Sequence, residues 1–428
     1  MLSNKNNKRK SSRNNKKTKK RNNVKSKNRK YRINTKSKTL IGGAGEPVIQ
    51  QTDPPRYIYT YVATLDSKMG KHYNFNKPSG VTISHDNRIY VCDKNNRVQI
   101  FHDDAPKYTY IDSLGKGKKG ILSFMNDTIH PSGVAVSPNP NNPRIYVSDP
   151  KDNTVWMYNV NDLSIITGLG GKLFSPMGVA ISYNGEKLYV ADTDNNCIKV
   201  ISTKNQMVVE TFGNYHLGSF ISHDMNLGFN TPMSVAVSRD NRIYVADTRN
   251  HRIQIFNGDT SPMSYIATLG PRPPYLVRGT SNTEFNFPNG VAVSTDNFIY
   301  IADTNNHRVQ VFDGATLTYI ATIGTTGSPG SSNTQFNFPV SVAVSPDGKR
   351  IYVADRDNNR IQMFDKEYIL VKGYKHNGTN PSITSTYTNL PSPKYVQTLR
   401  GNAVGLEGLT GIPNSVPYNV FNTSNYTN

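Results

Sequence analysis

Residues 285–312 read FNFPNGVAVSTDNFIYIADTNNHRVQVF. Three short runs of β-branched and aromatic residues, GVAV, FIYIAD and RVQVF, are separated by STDN and TNNH. Alternating apolar runs of this length, bounded by Asn, Asp, Ser and Thr, are strands joined by tight turns. A fourth run, YIATIG from Tyr319, completes a unit of four antiparallel strands.

The unit recurs. Copies lie near residues 75–101, 129–158, 174–201, 229–256, 285–312 and 336–364. Each carries a proline before its first run, at Pro78, Pro131, Pro176, Pro232, Pro288 and Pro339, with spacings of 53, 45, 56, 56 and 51 residues. Each second run ends on an aspartate: Asp93, Asp149, Asp192, Asp247, Asp303 or Asp355. A four-stranded unit recurring every ~50 residues is one blade of a β-propeller. A single blade cannot cover both of its faces; a ring of blades can, and leaves only short edges. The expected fold is all-β, a six-bladed propeller over residues 57–401, and no amphipathic helical segment competes with it. Three segments compete for the slot that closes the ring: YVATL at Tyr61, EYILVKG at Glu367 and YVQTLRG at Tyr395. Closure by Tyr61–Leu65 on the C-terminal blade is expected, because strands from both termini then remove the last edge. GIPNSV near Ile412 resembles the start of a seventh unit, which makes a seven-bladed ring the lesser alternative.

The remaining sequence is of a different kind. Residues 1–39 hold 17 Lys and Arg and no acid, the first acid being Glu46. The other 33 basic residues nearly balance 30 acids, so the net charge of +20 belongs almost wholly to the tail. A segment so charged and so poor in apolar residues is expected to be disordered. Residues 40–56 read as a linker and 402–428 as a C-terminal extension. Two basic clusters stand in the tail: Lys8, Arg9 and Lys10, then Lys16, Lys17, Lys19, Lys20 and Arg21. Such clusters read as nucleic-acid-binding or nuclear-targeting patches, or as a solubilising tail. Any nucleic-acid contact would be to phosphates and nonspecific.

The repeated unit resembles the NHL repeat family of β-propellers, over roughly residues 57–401. The resemblance implies six blades, and RNA binding in some members. Related propeller enzymes include gluconolactonase-type hydrolases, with carboxylate and Asn metal ligands at the channel, and the peptide-amidating lyase, with zinc held by histidines. VADRDNNRIQMF at Val353 resembles part of that lyase, but every unit holds a version of the phrase. The residues after each marker proline are Ser79, Ser132, Met177, Met233, Asn289 and Val340. None is a carboxylate or a histidine, so no catalytic residue, metal or cofactor is expected at the channel mouth. Should chemistry reside here, the fallback candidates are His251 and His307, at equivalent turns, and His216, His223 and Asp224 in the loop between units three and four. The repeat explains the first two as turn residues, and a solvated loop explains the others. His130 is read as packing. The repeated aspartates are read as turn acceptors, with Arg252, Arg308 and Arg360 reaching nearby carboxylates or carbonyls. Cys92 and Cys197 are expected to be free thiols.

The chain is thus expected to be a monomeric, non-enzymatic interaction or scaffold propeller with an unknown protein partner and a basic tether. A channel-mouth hydrolase or lyase and an RNA-binding propeller are the alternatives. No apolar stretch suffices to cross a bilayer and no secretory signal is evident, so an intracellular location, in the nucleus or, for a viral protein, in a virion or host cell, is expected. Richness in Asn, Lys, Ile and Tyr fits an AT-rich genome, such as that of a giant DNA virus or a protist.

Overall fold

The structure, a computed structural model, describes residues 56–369 except 116–128, 140–142, 214–227 and 273–276. Both basic clusters, the linker up to residue 55, and residues 370–428 lie outside the described residues, as do His216, His223 and Asp224.

Six four-stranded antiparallel sheets account for every strand among the described residues. Blade one illustrates the pattern: β2 (Gly80–Ile83), β3 (Arg88–Asp93), β4 (Arg97–His102) and β5 (Tyr110–Gly115) pair in chain order. The sequence dictates where each strand stops. A left-handed Asn such as Asn87, Asn241 or Asn297 turns the first hairpin, and a one-turn 3-10 helix ending on a left-handed Asn or His turns the second in blades three to six. Asn tolerates positive φ better than other non-glycine residues.

The second strand of each blade is buried on both faces, in the pattern expected of the middle of a layered stack. Its Tyr (Tyr90, Tyr146, Tyr189, Tyr244, Tyr300 or Tyr352) packs into the layer between its own blade and a neighbour. The core is therefore six inter-blade layers rather than one central cluster. On the innermost strand the backbones of adjacent blades nearly touch. A Cβ on Gly80 would lie 2.4 Å from the Ser132 carbonyl oxygen, and one on Gly178 2.6 Å from Ser234 Cα. Only glycine admits that approach without a shift.

The ring closes as expected. β1 (Arg56–Leu65) pairs with β24 (Arg360–Ile369), from Arg56 opposite Ile369 to Leu65 opposite Ile361, with one bulge between Tyr61 and Ala63. It is the outer strand of a sheet completed by β23 (Arg350–Asp355) and β22 (Pro339–Val344). Glu367, the start of a competing segment, continues β24 instead. Closure is latched between blades six and one. Tyr352 and Arg350 reach Asp103 at 2.6 and 3.1 Å, and Val81 N–H donates to Ser341 Oγ at 3.2 Å.

Candidate functional site: the channel mouth and its rim of aspartates

The six inner strands enclose a central channel of about 600 Å³. Its wall is built of alternating Val and Ala side chains with Gly and Ser between them, and all six residues that follow the marker prolines line it. The mouth departs from six-fold symmetry. Blades three, four and five carry Thr193, Thr248 and Thr304 after the strand-ending aspartate, and each donates to the carbonyl of the next blade's marker proline at 2.7 Å. Blades one and six carry Lys94 and Arg356 there instead, and with Lys77 these line the channel. Arg356 pairs with Asp357 at 2.9 Å. That hydrogen bond, with the charges of Arg356, Lys77 and Lys94, holds the Asp357 carboxyl below its ordinary range. Three cations against one acid make this quadrant positive. The sequence reading missed it, since none of the three is the residue after a marker proline. Comparing the residue after each strand-ending aspartate across the six units would have found two of them.

The strand-ending aspartates stand on the same rim, each wholly buried. Asp303 shows the arrangement. Its Oδ1 accepts from the Asn286 N–H at 2.7 Å, and its Oδ2 from Asn306 Nδ2 at 2.8 Å and Arg308 Nε at 2.7 Å. Arg308 continues to the carbonyls of Thr280, Ser281 and Glu284. Asp355 with Arg360 repeats this, as does Asp247 with Arg252. The arginines therefore serve carboxylates and carbonyls together, organising the loop ahead of each marker proline. Burial pushes the Asp303 and Asp355 carboxyls up, and the hydrogen bonds and guanidinium charge oppose it. In blade three Cys197 replaces the arginine, and Lys199 supplies the cation at 2.9 Å from Asp192. Cys92 and Cys197 are free and buried; burial raises both thiols, Cys197 to about 12, which leaves them protonated and unreactive at neutral pH.

His251 and His307 are brought into neither a pair nor an acid–base couple. Each ends its turn in the left-handed region. Nδ1 of His251 accepts the Phe287 N–H at 3.1 Å, and Nδ1 of His307 accepts the Phe338 N–H at 3.2 Å. The donor in each case belongs to the next blade. Asn153, Asn196 and Asn359 do the same through Oδ1, to the N–H of Ser175, Thr231 and Lys77 at 2.7–2.9 Å. These are inter-blade clamps. His130 is more than packing. Its backbone N–H donates to Asp149 at 2.9 Å, and its ring stands beside that carboxylate.

A family model for the NHL repeat matches residues 75–101, 229–256, 285–312 and 336–364. Four of the six units are therefore NHL repeats. The two units without a match, near 129–158 and 174–201, are the two in which Arg is lost from the buried ion pair. Among relatives, NHL repeat-containing protein 2 of Bos taurus is 27% identical over 154 residues, 33% of this chain and 21% of that protein. The chloroplastic protein SUPPRESSOR OF QUENCHING 1 of Arabidopsis thaliana is 22% identical over 273 residues, 56% of this chain and 25% of that one. A probable peptidyl-alpha-hydroxyglycine alpha-amidating lyase, pgal-1 of Caenorhabditis elegans, is 30% identical over 146 residues, 33% and 38% of the two chains. The chain thus spans between a fifth and two-fifths of these relatives. A crystal structure of a Bacteroides thetaiotaomicron protein of unknown function superposes with a TM-score of 0.51 at 16% identity, over 68% of this chain and 70% of that one, a likeness of fold alone.

Proposed function

We propose that this NHL propeller is a non-enzymatic interaction module. Its channel mouth docks an acidic segment of a partner protein, and its N-terminal tail tethers the complex to nucleic acid or directs it to the nucleus. The observation that carries the reading is the positive quadrant of Lys77, Lys94 and Arg356 at the mouth of an apolar channel. An extended acidic segment gains charge pairing at the rim and burial of apolar side chains below it. The lyase reading finds less support. Among the described wall residues there is no carboxylate, imidazole or thiol to serve as general base or nucleophile, and the rim aspartates are committed to the fold.

Fluorescence anisotropy with a labelled oligoglutamate carrying interspersed leucines tests this reading. Binding should weaken with salt, and the Lys77→Glu, Lys94→Glu and Arg356→Glu triple variant should lose at least ten-fold in affinity. Undiminished binding by a folded triple variant would overturn the assignment of the mouth.

A further inference from the structure

Five of the six buried rim aspartates face a side-chain cation. Arg97 stands 3.3 Å from Asp93, Lys199 2.9 Å from Asp192, and Arg252, Arg308 and Arg360 each 2.7 Å from Asp247, Asp303 and Asp355. Asp149 of blade two is the exception. It is wholly buried, yet Thr154 stands where the others have Arg, and Trp156 where blade three has Lys199. No Lys or Arg among the described residues pairs with it. An ionised carboxylate taken out of water needs a counter-charge.

In place of the guanidinium the chain supplies two further ligating side chains. His130, immediately before the marker proline, places Nδ1 3.9 Å from Asp149 Oδ1. That nitrogen is buried and makes no hydrogen bond. Asp152, in the turn after Asp149, contributes a second carboxylate. One ligand atom from each of the three lies within 4.8 Å of the others. A second carboxylate beside an uncompensated one adds repulsion, and accordingly burial and the Asp149 charge push the Asp152 carboxyl up. A bound cation resolves both the missing charge and the idle imidazole nitrogen.

We propose that His130, Asp149 and Asp152 form a binding site for a divalent first-row metal ion of the zinc type. One imidazole and two carboxylates suit zinc, cobalt or manganese better than calcium, which takes six to eight oxygens. Three protein ligands leave a fourth position for water. Backbone donors already orient Asp149 as a ligand. Its Oδ2 accepts the His130 N–H at 2.9 Å, and its Oδ1 accepts the Lys151 and Asp152 N–H groups at 3.1 Å each. A second lone pair on Oδ2 remains for the ion. Exposed Asp152 closes onto the ion from solvent. Lys151 Nζ, 3.2 Å from His130 Nε2, turns outward when the ring ligates through Nδ1 and keeps its proton on Nε2. The ion takes the part that Arg plays elsewhere, joining the strand end of blade two to the segment before its marker proline.

The experiment uses the full chain, stripped with a chelator and titrated with Co²⁺ and then Zn²⁺. The expected result is one equivalent of Co²⁺ with visible d–d absorbance, its displacement by Zn²⁺, and a higher thermal midpoint with Zn²⁺. Asp152→Asn and His130→Gln should each lose the absorbance. Thr154→Arg touches no ligand but restores the repeat's guanidinium to Asp149, and should abolish Co²⁺ binding in a folded protein. Absence of binding by the wild type, or the same one-equivalent binding in all three variants, would overturn the site. So would a thermal midpoint that does not respond to added metal.

Discussion

At the residue scale, one geometric demand explains why two residue types alternate at the end of the second hairpin. The position needs positive φ and an acceptor a short reach from the backbone, and Asn Oδ1 and His Nδ1 both provide it. The two histidines add a dependence on pH that the asparagines lack. Burial lowers the pKa of His251 and His307 below the unfolded value of about 6.5. On acidification the unfolded chain therefore takes up these protons first, and stability falls as pH drops through that value. Protonated Nδ1 also donates rather than accepts, which breaks the clamp. Replacing both by Asn should keep the clamps and flatten the loss of thermal midpoint between pH 7 and 5; an unchanged slope would place the titrating groups elsewhere. The rim pairs give a second contrast. Arg308→Met strands Asp303 in the interior and should cost about 3–5 kcal/mol. Arg88→Met, whose partner Asp86 is half exposed, should cost under about 1 kcal/mol. Urea unfolding of both variants measures the difference. The sequence made the carboxylate–arginine pairing legible because it recurs at one spacing. It hid the site around Asp149, because His130 and Asp152 acquire meaning only beside the residue that blade two has lost.

At the element scale the decisive event is the choice of closing strand. YVATL, EYILVKG and YVQTLRG carry the same alternation, and local propensity does not separate them. β1 brings more than alternation. Tyr57 and Tyr59 stack edge-on against Phe298 and Tyr300 of blade five, Tyr61 against Phe364, and Leu65 is wholly buried. β1 thus seals blade six and covers the layer shared with blade five. A chain starting at residue 56 should match the full chain in thermal midpoint. A chain starting at residue 66 should lose the cooperative transition or aggregate, because it bares β24 as a ten-residue edge. Equal midpoints for the two truncations would show that another segment fills the slot.

At the scale of the whole molecule, the charge divides the chain into a basic tail and a body near neutrality. If the tail engages about 6–10 phosphates, duplex affinity should fall by about 10³–10⁵ between 50 and 200 mM salt. Deleting residues 1–39 should abolish that binding and leave the far-ultraviolet spectrum of the β-rich body unchanged. Salt-independent binding, or equal affinity without the tail, would assign nucleic acid to another surface. The sequence alone determined the four-stranded unit, its six copies and the roles of the repeated Asp and Arg, because a repeat states the same local problem six times and chance does not. It favoured Tyr61–Leu65 among three candidate closing strands without a local pattern to separate them, and it left open where Lys77, Lys94 and Arg356 converge and what replaces the lost arginine of blade two. Those depend on contacts between residues far apart in the chain, such as Lys77 with Asn359, separated by 282 positions. Only the curvature of the closed ring sets such distances, and no local pattern encodes it.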